Sequence, residues 1–178
     1  MSVPRERFRD GLTWDDWLDR LGRDAPAWRR RFDETTLAEL RAEYQSIPTP
    51  RYVACFFDPD SPAAQEAVPV VARACDQAAV AGGVDLRLFP IDAYPDFASR
   101  YPAEADRSLP VCVVFDRDWV QVGIWRMRPD VLRETDWIGD ALRGLLDALR
   151  GLPNPPWQGR GRFGEHLWKQ AEHGRGGD

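Results

Sequence analysis

The segment RYVACFF at residues 51–57 constrains the fold of this chain more than any other. It is a continuous apolar run rich in residues that favour β-structure. Such a run is typical of a strand covered on both faces, because a strand with one solvent-facing side alternates polar and apolar residues. The sequence therefore predicts a central strand with helices packed on both sides.

The segments after this strand complete a mixed sheet. They are predicted to be helix 62–80, strand 84–91, a short irregular helix over 93–106, strand 111–115, strand 119–125 and helix 130–150. A β-α-β unit followed by a β-β-α unit builds a mixed sheet with helices on both faces. We therefore expect an α/β fold with a sheet of about four strands.

The residues before the central strand form a helical extension in this interpretation. Thr13 is placed to cap a helix, with Asp16 in the position that returns the bond in a capping box. The Ile-Pro-Thr-Pro stretch at 47–50 then ends helical structure. The chain is thus divided into a helical extension over 1–50, an α/β domain over 51–150 and a mostly irregular tail over 151–178, with a short helix around 165–172.

Composition excludes several classes of protein. The net charge of −5 shows no basic excess for nucleic-acid binding. No apolar run reaches the length of a membrane span, and no secretion signal is evident, so we expect a cytoplasmic protein. The three cysteines are widely spaced, and both histidines lie in the tail. They form neither a disulfide framework nor a metal site, and we expect no metal and no cofactor.

The order of these features resembles the thioredoxin-like superfamily, in particular small bacterial members with a helical N-terminal extension. The resemblance rests on strand 51–57, the loop that enters a helix at Ser61, the proline within that helix at Pro69, and the pair Leu109-Pro110 before a strand. The segment FRDGLTWDDWLDRL also resembles the first helix of that group. The resemblance covers residues 8–150 and implies a thioredoxin-like fold.

The resemblance also implies that the redox pair of the family is missing. If Pro69 is the family's helix-kinking proline, the two active cysteines correspond to Ser61 and Ala64, and the tryptophan before them to Asp60. A helix N-terminus lowers a thiol pKa toward neutrality, but a serine hydroxyl starts too high for this effect and needs an adjacent base. We expect Ser61 to cap the helix rather than to act as a nucleophile.

A binding groove is the second implication of the resemblance. Pro110 matches the family's cis-proline, which faces the start of the active helix. Asp60, Ser61, Leu109 and Pro110 would then line a groove in which an extended peptide pairs with the backbone before Pro110. Whether Pro110 is cis, and whether the N-terminal helices cover the groove, is left open by the residues.

The three thiols allow two interpretations. Cys55 and Cys112 lie in apolar strands and Cys75 on a helix, so the simpler interpretation is that they are inert core residues. The alternative makes Cys55 or Cys112 a working thiol, or lets the two pair if their Cα atoms come within about 7 Å. Asp58 and Asp60 have the spacing of a cation site but the composition of a turn, which we favour.

Three functions follow from these alternatives. The first is a redox-inactive module that binds a peptide or protein partner. The second is a single-thiol oxidoreductase that uses Cys55 or Cys112. The third is a glutathione-binding site in which Ser61 and the helix N-terminus hold a thiolate, as in glutathione transferases, although the large helical domain of those enzymes is not recognised after the last predicted helix.

Overall fold

The fold is described here from a computed structural model that covers residues 3–29, 34–48, 50–79, 83–98, 110–127 and 137–151. The helices are α1 (Arg5–Phe8), α2 (Trp14–Leu21), α3 (Ala25–Arg29), α4 (Glu34–Gln45), α5 (Pro62–Ala79), α6 (Pro95–Ala98) and α7 (Trp137–Arg150). The strands are β1 (Arg51–Phe57), β2 (Val84–Pro90), β3 (Val111–Phe115) and β4 (Gln121–Arg126). A turn of 3-10 helix, Gly22–Asp24, joins α2 to α3.

The strands form one mixed sheet in the order β2-β1-β3-β4. β1 and β2 run parallel, and β3 is antiparallel to both of its neighbours. β1 and β2 are joined through α5, and β3 and β4 are joined by a tight turn. This is the order of units that the sequence predicts. The α/β prediction with a mixed four-stranded sheet is therefore confirmed.

β1 lies in the middle of the sheet and is buried from Val53 to Phe57, as the apolar run predicts. Successive side chains of a strand point to opposite faces, and those of β1 enter two cores. Cys55 and Phe57 belong to the larger core, which includes residues of α4, α5 and α7. Ala54 and Phe56 belong to the smaller core on the other face, which includes residues of α1 and α6.

The N-terminal extension is tied to the sheet at its β2 edge. Thr13 and Asp16 form the predicted capping box at the start of α2, and these hydrogen bonds hold the pKa of Asp16 below its usual value. Just before the cap, Leu12 and Leu88 exchange backbone hydrogen bonds of 2.9 and 2.8 Å. A Cβ on Gly11 would lie 2.6 Å from the ring of Phe89, so glycine permits this close approach. The sequence did not predict this strand-like contact.

The prediction that β4 begins at residue 119 is wrong. Trp119 has a φ of 64°, a left-handed conformation, and belongs to the turn between β3 and β4. The carboxylate of Asp116 accepts hydrogen bonds from the backbone N–H groups of Asp118 and Val120, both 2.9 Å long, and this closes the turn. Paired strand resumes at Gln121. The predicted helical residues 99–106 and 130–136, and the predicted helix at 165–172, lie outside the described residues.

Candidate functional site

The candidate site lies at the carboxyl end of β1, where the chain turns into α5. Because β3 is antiparallel to β1, with Val111 opposite Phe56, the residue before β3 lies at the same end of the sheet as the residues after β1. Pro110 and the loop 58–61 are thereby brought to one end of the domain. Asp60 and Ser61 are in that loop, whereas Leu109 lies outside the described residues.

The loop before α5 is shaped by its own aspartate. The carboxylate of Asp58 accepts a 3.0 Å hydrogen bond from the backbone N–H of Asp60, and its carbonyl accepts one of 3.1 Å from that of Ser61. This is the turn predicted from the Asp-Pro-Asp-Ser composition. Within the described part of the chain, no group of three or more histidine, cysteine or acidic side chains is arranged to hold a metal ion.

Ser61 begins α5 and caps it. Its side-chain oxygen accepts a hydrogen bond of 3.4 Å from the backbone N–H of Ala64, and its carbonyl accepts the first helical bond from Gln65. Pro62 follows at the first helical position, where its missing N–H is not needed. The hydroxyl is buried, with the residue only 4% exposed. The local geometry is that of a helix cap.

Pro110 lies at the same end of the sheet as the loop before α5. Its side chain is buried, and its carbonyl accepts a 3.2 Å hydrogen bond from Met127, the residue after β4. Met127 is itself buried in the larger core. The sequence did not single out Met127, because its place beside Pro110 depends on the register between β3 and β4. In contrast to Ser61 and Pro110, Asp60 and Pro62 are exposed.

Two tryptophans of the N-terminal extension pack against the last residue of β1, at the same end of the domain as the candidate site. The rings of Trp17 and Trp28 lie 5.2 and 6.0 Å from that of Phe57, the last residue of β1. Both are buried, and the indole N–H of Trp17 has no hydrogen-bond partner among the described residues. The contact with Phe57 places Trp17 beside the site, and it depends on how the extension packs against the sheet.

The three thiols lie in the larger core, and all are buried and free. Cys55 and Cys112 are fully buried, and Cys75 is 2% exposed. Burial raises the pKa of Cys75, and the nearby Cys55 thiol adds to this rise. Burial also raises the pKa of Cys112, with a further contribution from a hydrogen bond to Cys55. A thiol that is protonated and inaccessible is a poor nucleophile.

No described helix is long and apolar enough to cross a membrane. In the smaller core, the Trp119 ring stacks on Phe115 of β3 at a centroid distance of 4.8 Å.

Comparison with known proteins identifies the family to which the chain belongs. Two solved structures share the fold at 18% identity: a protein of unknown function from Pseudomonas aeruginosa, and an engineered HIV epitope scaffold. The first has a TM-score of 0.63 over 85% of this chain and 98% of its own, and the second a TM-score of 0.58 over 85% and 99%. No curated protein matches the sequence. A family model described as thioredoxin matches residues 16–142, most of the chain, and the protein therefore belongs to the thioredoxin family.

Proposed function

We propose that this protein is a thioredoxin-like binding module that does not catalyse dithiol exchange and binds an extended segment of a partner protein at the end of β1. The observation that carries the proposal is the state of the loop before α5. At this helix start the chain has a serine that caps the helix. The three cysteines, at 55, 75 and 112, leave no C-x-x-C pair anywhere in the sequence.

Nucleophilic chemistry at Ser61 is not supported by its surroundings. A serine hydroxyl needs a neighbouring base to become a nucleophile, and both histidines of the chain lie far away in sequence, at 166 and 173. Its oxygen already accepts the bond from Ala64. A capped helix start with a hydroxyl in place of a thiol favours binding over catalysis.

The single-thiol alternative meets a different obstacle. Thiol chemistry requires an accessible thiolate, and Cys55 and Cys112 have no exposed surface. The raised pKa of Cys112 moves it further from reactivity at neutral pH. These observations favour the first interpretation of the thiols, as core residues, over a catalytic role.

The surface offered to a partner is the outer side of the same loop. Asp60 and Pro62 are exposed, while Ser61 and Pro110 are buried. The Asp58 turn fixes this loop before any partner arrives, which lowers the entropic cost of binding. A partner segment that follows the loop would meet the acidic side chain of Asp60, and the family resemblance implies that it would pair with the backbone before Pro110 as an added strand. We expect the module to act in the cytosol, where cysteines normally stay reduced.

Selection of binders from a library of displayed extended peptides tests this proposal. Wild-type protein should retain a set of peptides that the variant Asp60→Arg no longer binds. Asp118→Arg is the matched control, because Asp118 is also exposed, also donates its backbone N–H to the carboxylate two residues earlier, and lies at the opposite end of β3. The control should bind like wild type. Equal retention by the two variants, or the absence of any enriched peptide, would contradict the proposal.

A disulfide-reduction assay with a chemical electron donor separates this function from a reductase. The protein should not accelerate reduction of a model disulfide above the rate of the donor alone. Acceleration that disappears in Cys55→Ala or Cys112→Ala would instead support the single-thiol oxidoreductase.

A further inference from the structure

Cys55 and Cys112 lie directly opposite each other on neighbouring antiparallel strands. Two residues that face each other on antiparallel strands form either a hydrogen-bonded pair, in which their backbones bond to each other, or a non-hydrogen-bonded pair. In a non-hydrogen-bonded pair the Cα atoms are closer, at about 4.5 Å. The kind of pair therefore decides how close the two thiols come. Hydrogen bonds at the ends of β1 and β3 identify it.

On β1, the carbonyl of Phe57 accepts a hydrogen bond of 2.9 Å from Ile91, on the β2 side. At the other end of β1, the N–H of Arg51 donates to Gly83, again on the β2 side. Along a strand, the backbone N–H and C=O groups of every second residue point to the same neighbouring strand. The groups of Cys55 therefore point to β2, like those of Arg51 and Phe57, and away from β3.

On β3 the same reasoning starts from Pro110. Its carbonyl accepts a bond from Met127, on the β4 side, so the backbone groups of Cys112, two residues later, also point to β4. Neither cysteine directs its backbone toward the other. Cys55 and Cys112 are thus a non-hydrogen-bonded pair, the kind in which facing side chains are closest. Both side chains lie in the same core and are fully buried.

We propose that Cys55 and Cys112 form an oxidisable dithiol that closes into a cross-strand disulfide between β1 and β3. The expected Cα separation of about 4.5 Å falls at the lower end of the range that disulfides span, about 4.4–6.8 Å. A pair at this spacing meets the distance criterion for a disulfide. The proposal stands independently of the function proposed above.

The oxidant is a small-molecule disulfide. The thiolate of one cysteine attacks it, forms a mixed disulfide and releases one small thiol. The thiolate of the other cysteine then attacks the protein sulfur of the mixed disulfide and releases the second small thiol, leaving the Cys55–Cys112 bond. The protein loses two electrons and two protons, and the small disulfide takes up both as its two thiols.

Burial determines when this reaction takes place. Because both cysteines have no exposed surface, an oxidant reaches them only when β1 and β3 separate or before they have paired. Oxidation is therefore slow in the folded protein and fast during folding. Once formed, the bond ties together the strand that leads to Ser61 and the strand that starts after Pro110, so it links the two sides of the candidate site from within the sheet.

Refolding of the full chain in a glutathione redox buffer tests the proposal. The bridged peptides are then mapped by mass spectrometry. Chain statistics alone favour the Cys55–Cys75 bridge, which closes the shortest loop. Pairing within the sheet favours Cys55–Cys112. We expect two of the three thiols to be lost, and the Cys55–Cys112 peptide to outnumber the Cys55–Cys75 peptide.

Three variants complete the test. Cys75→Ala should form the same bridge to the same extent, whereas Cys55→Ala and Cys112→Ala should each keep both remaining thiols free. Circular dichroism of each refolded variant shows whether it has folded. A predominance of Cys55–Cys75, glutathione adducts without an internal bridge, or three free thiols in folded wild-type protein would each overturn the proposal.

Discussion

Ser61 and Thr13 begin helices by the same chemistry but with different completeness. Thr13 takes part in a reciprocal capping box, in which its oxygen accepts from Asp16 at 3.1 Å and its own N–H donates to the Asp16 carboxylate at 3.0 Å. Ser61 makes one longer capping bond, of 3.4 Å, to the N–H of Ala64. Removal of either oxygen leaves a helix N–H unpaired.

Replacement of either capping residue by alanine should destabilise the protein modestly. We expect Thr13→Ala and Ser61→Ala each to lower the free energy of unfolding by about 1 kcal/mol, within the range of about 0.5–2 kcal/mol for lost caps. Urea denaturation measures both. A loss above about 3 kcal/mol for Ser61→Ala alone would mean that this hydroxyl does more than cap the helix.

The buried thiols make stability fall in alkaline solution. The pKa of Cys75 and of Cys112 is raised in the folded protein above its ordinary value of 9.0. Below pH 9 the two thiols are protonated in the folded and in the unfolded protein, so they do not change the free energy of unfolding with pH. Above it, the unfolded chain releases these protons first, so the free energy of unfolding should fall by up to about 1.4 kcal/mol per pH unit for each thiol.

Denaturation curves between pH 8 and pH 10.5 measure this slope. Cys75→Ala should show a shallower decline than wild type, because one of the two thiols is gone. At pH 7, a thiol reagent should modify the wild-type protein only after denaturant is added. If one cysteine of the native protein reacts at pH 7 at the rate of a free thiol, the assignment of the three cysteines to the core is wrong.

At the scale of elements, the contact between β4 and α7 depends on one glycine. A Cβ at Gly123 would overlap the carbonyl oxygen of Ala148 and lie 2.9 Å from its carbonyl carbon. The obstacle is helix backbone, which cannot turn aside like a flexible side chain. The helix is therefore able to lie against β4 only because this position has no side chain.

Gly123→Ala should force α7 away from the sheet. We expect a loss of about 1–3 kcal/mol in the free energy of unfolding, the usual cost of overpacking. Gln121→Ala, at an exposed position of the same strand, is the control and should change stability by less than about 0.5 kcal/mol. The midpoints of urea denaturation compare the two. An unchanged midpoint for Gly123→Ala would show that α7 does not pack this closely.

What the sequence predicts well are the elements whose signal is local. The run 51–57 predicted a buried strand, and Thr13 with Asp16 predicted a cap, because neighbours in sequence decide both features. The pairing of Leu12 with Leu88 and the close contact at Gly123 depend on residues far apart in sequence. The start of β4 was misplaced because Val120 and Trp119 favour strands, while the Asp116 side chain holds them in a turn.

The same distinction separates what could be predicted of the candidate site. Ser61 as a cap follows from its place before Pro62, and Pro110 was found from its place before a strand. The meeting of Trp17 with Phe57 needed the packing of the extension against the sheet. That two thiols face each other needed the register between β1 and β3.

At the scale of the whole molecule, the N-terminal extension shares the cores of the α/β domain. Val3 and Phe8 are buried in the smaller core, and Trp17 and Trp28 in the larger one. The extension is also joined to the β2 edge through Leu12, which covers part of a strand edge that would otherwise be open to other chains. A boundary at residue 50 would therefore cut through both cores.

Removal of residues 1–29 tests whether the rest of the chain folds without this part of the extension. The shortened chain would expose Phe57 and the edge of β2 at Leu88. It would also lose five large buried side chains: Val3, Phe8, Trp17, Leu18 and Trp28. Loss of one such aromatic side chain already costs about 3–5 kcal/mol, a large part of the stability of a small domain. We expect the shortened chain to lose its cooperative thermal transition and to bind a hydrophobic dye.

A milder variant keeps this prediction interpretable if the shortened chain is insoluble. Trp17→Ala should lower the free energy of unfolding by about 3–5 kcal/mol, whereas Trp14→Ala, on the less buried side of the same helix, should cost less. Chemical denaturation followed by circular dichroism compares the two. If the shortened chain unfolds at the wild-type temperature with equal cooperativity, residues 1–29 add no stability, and the rest of the chain folds without them.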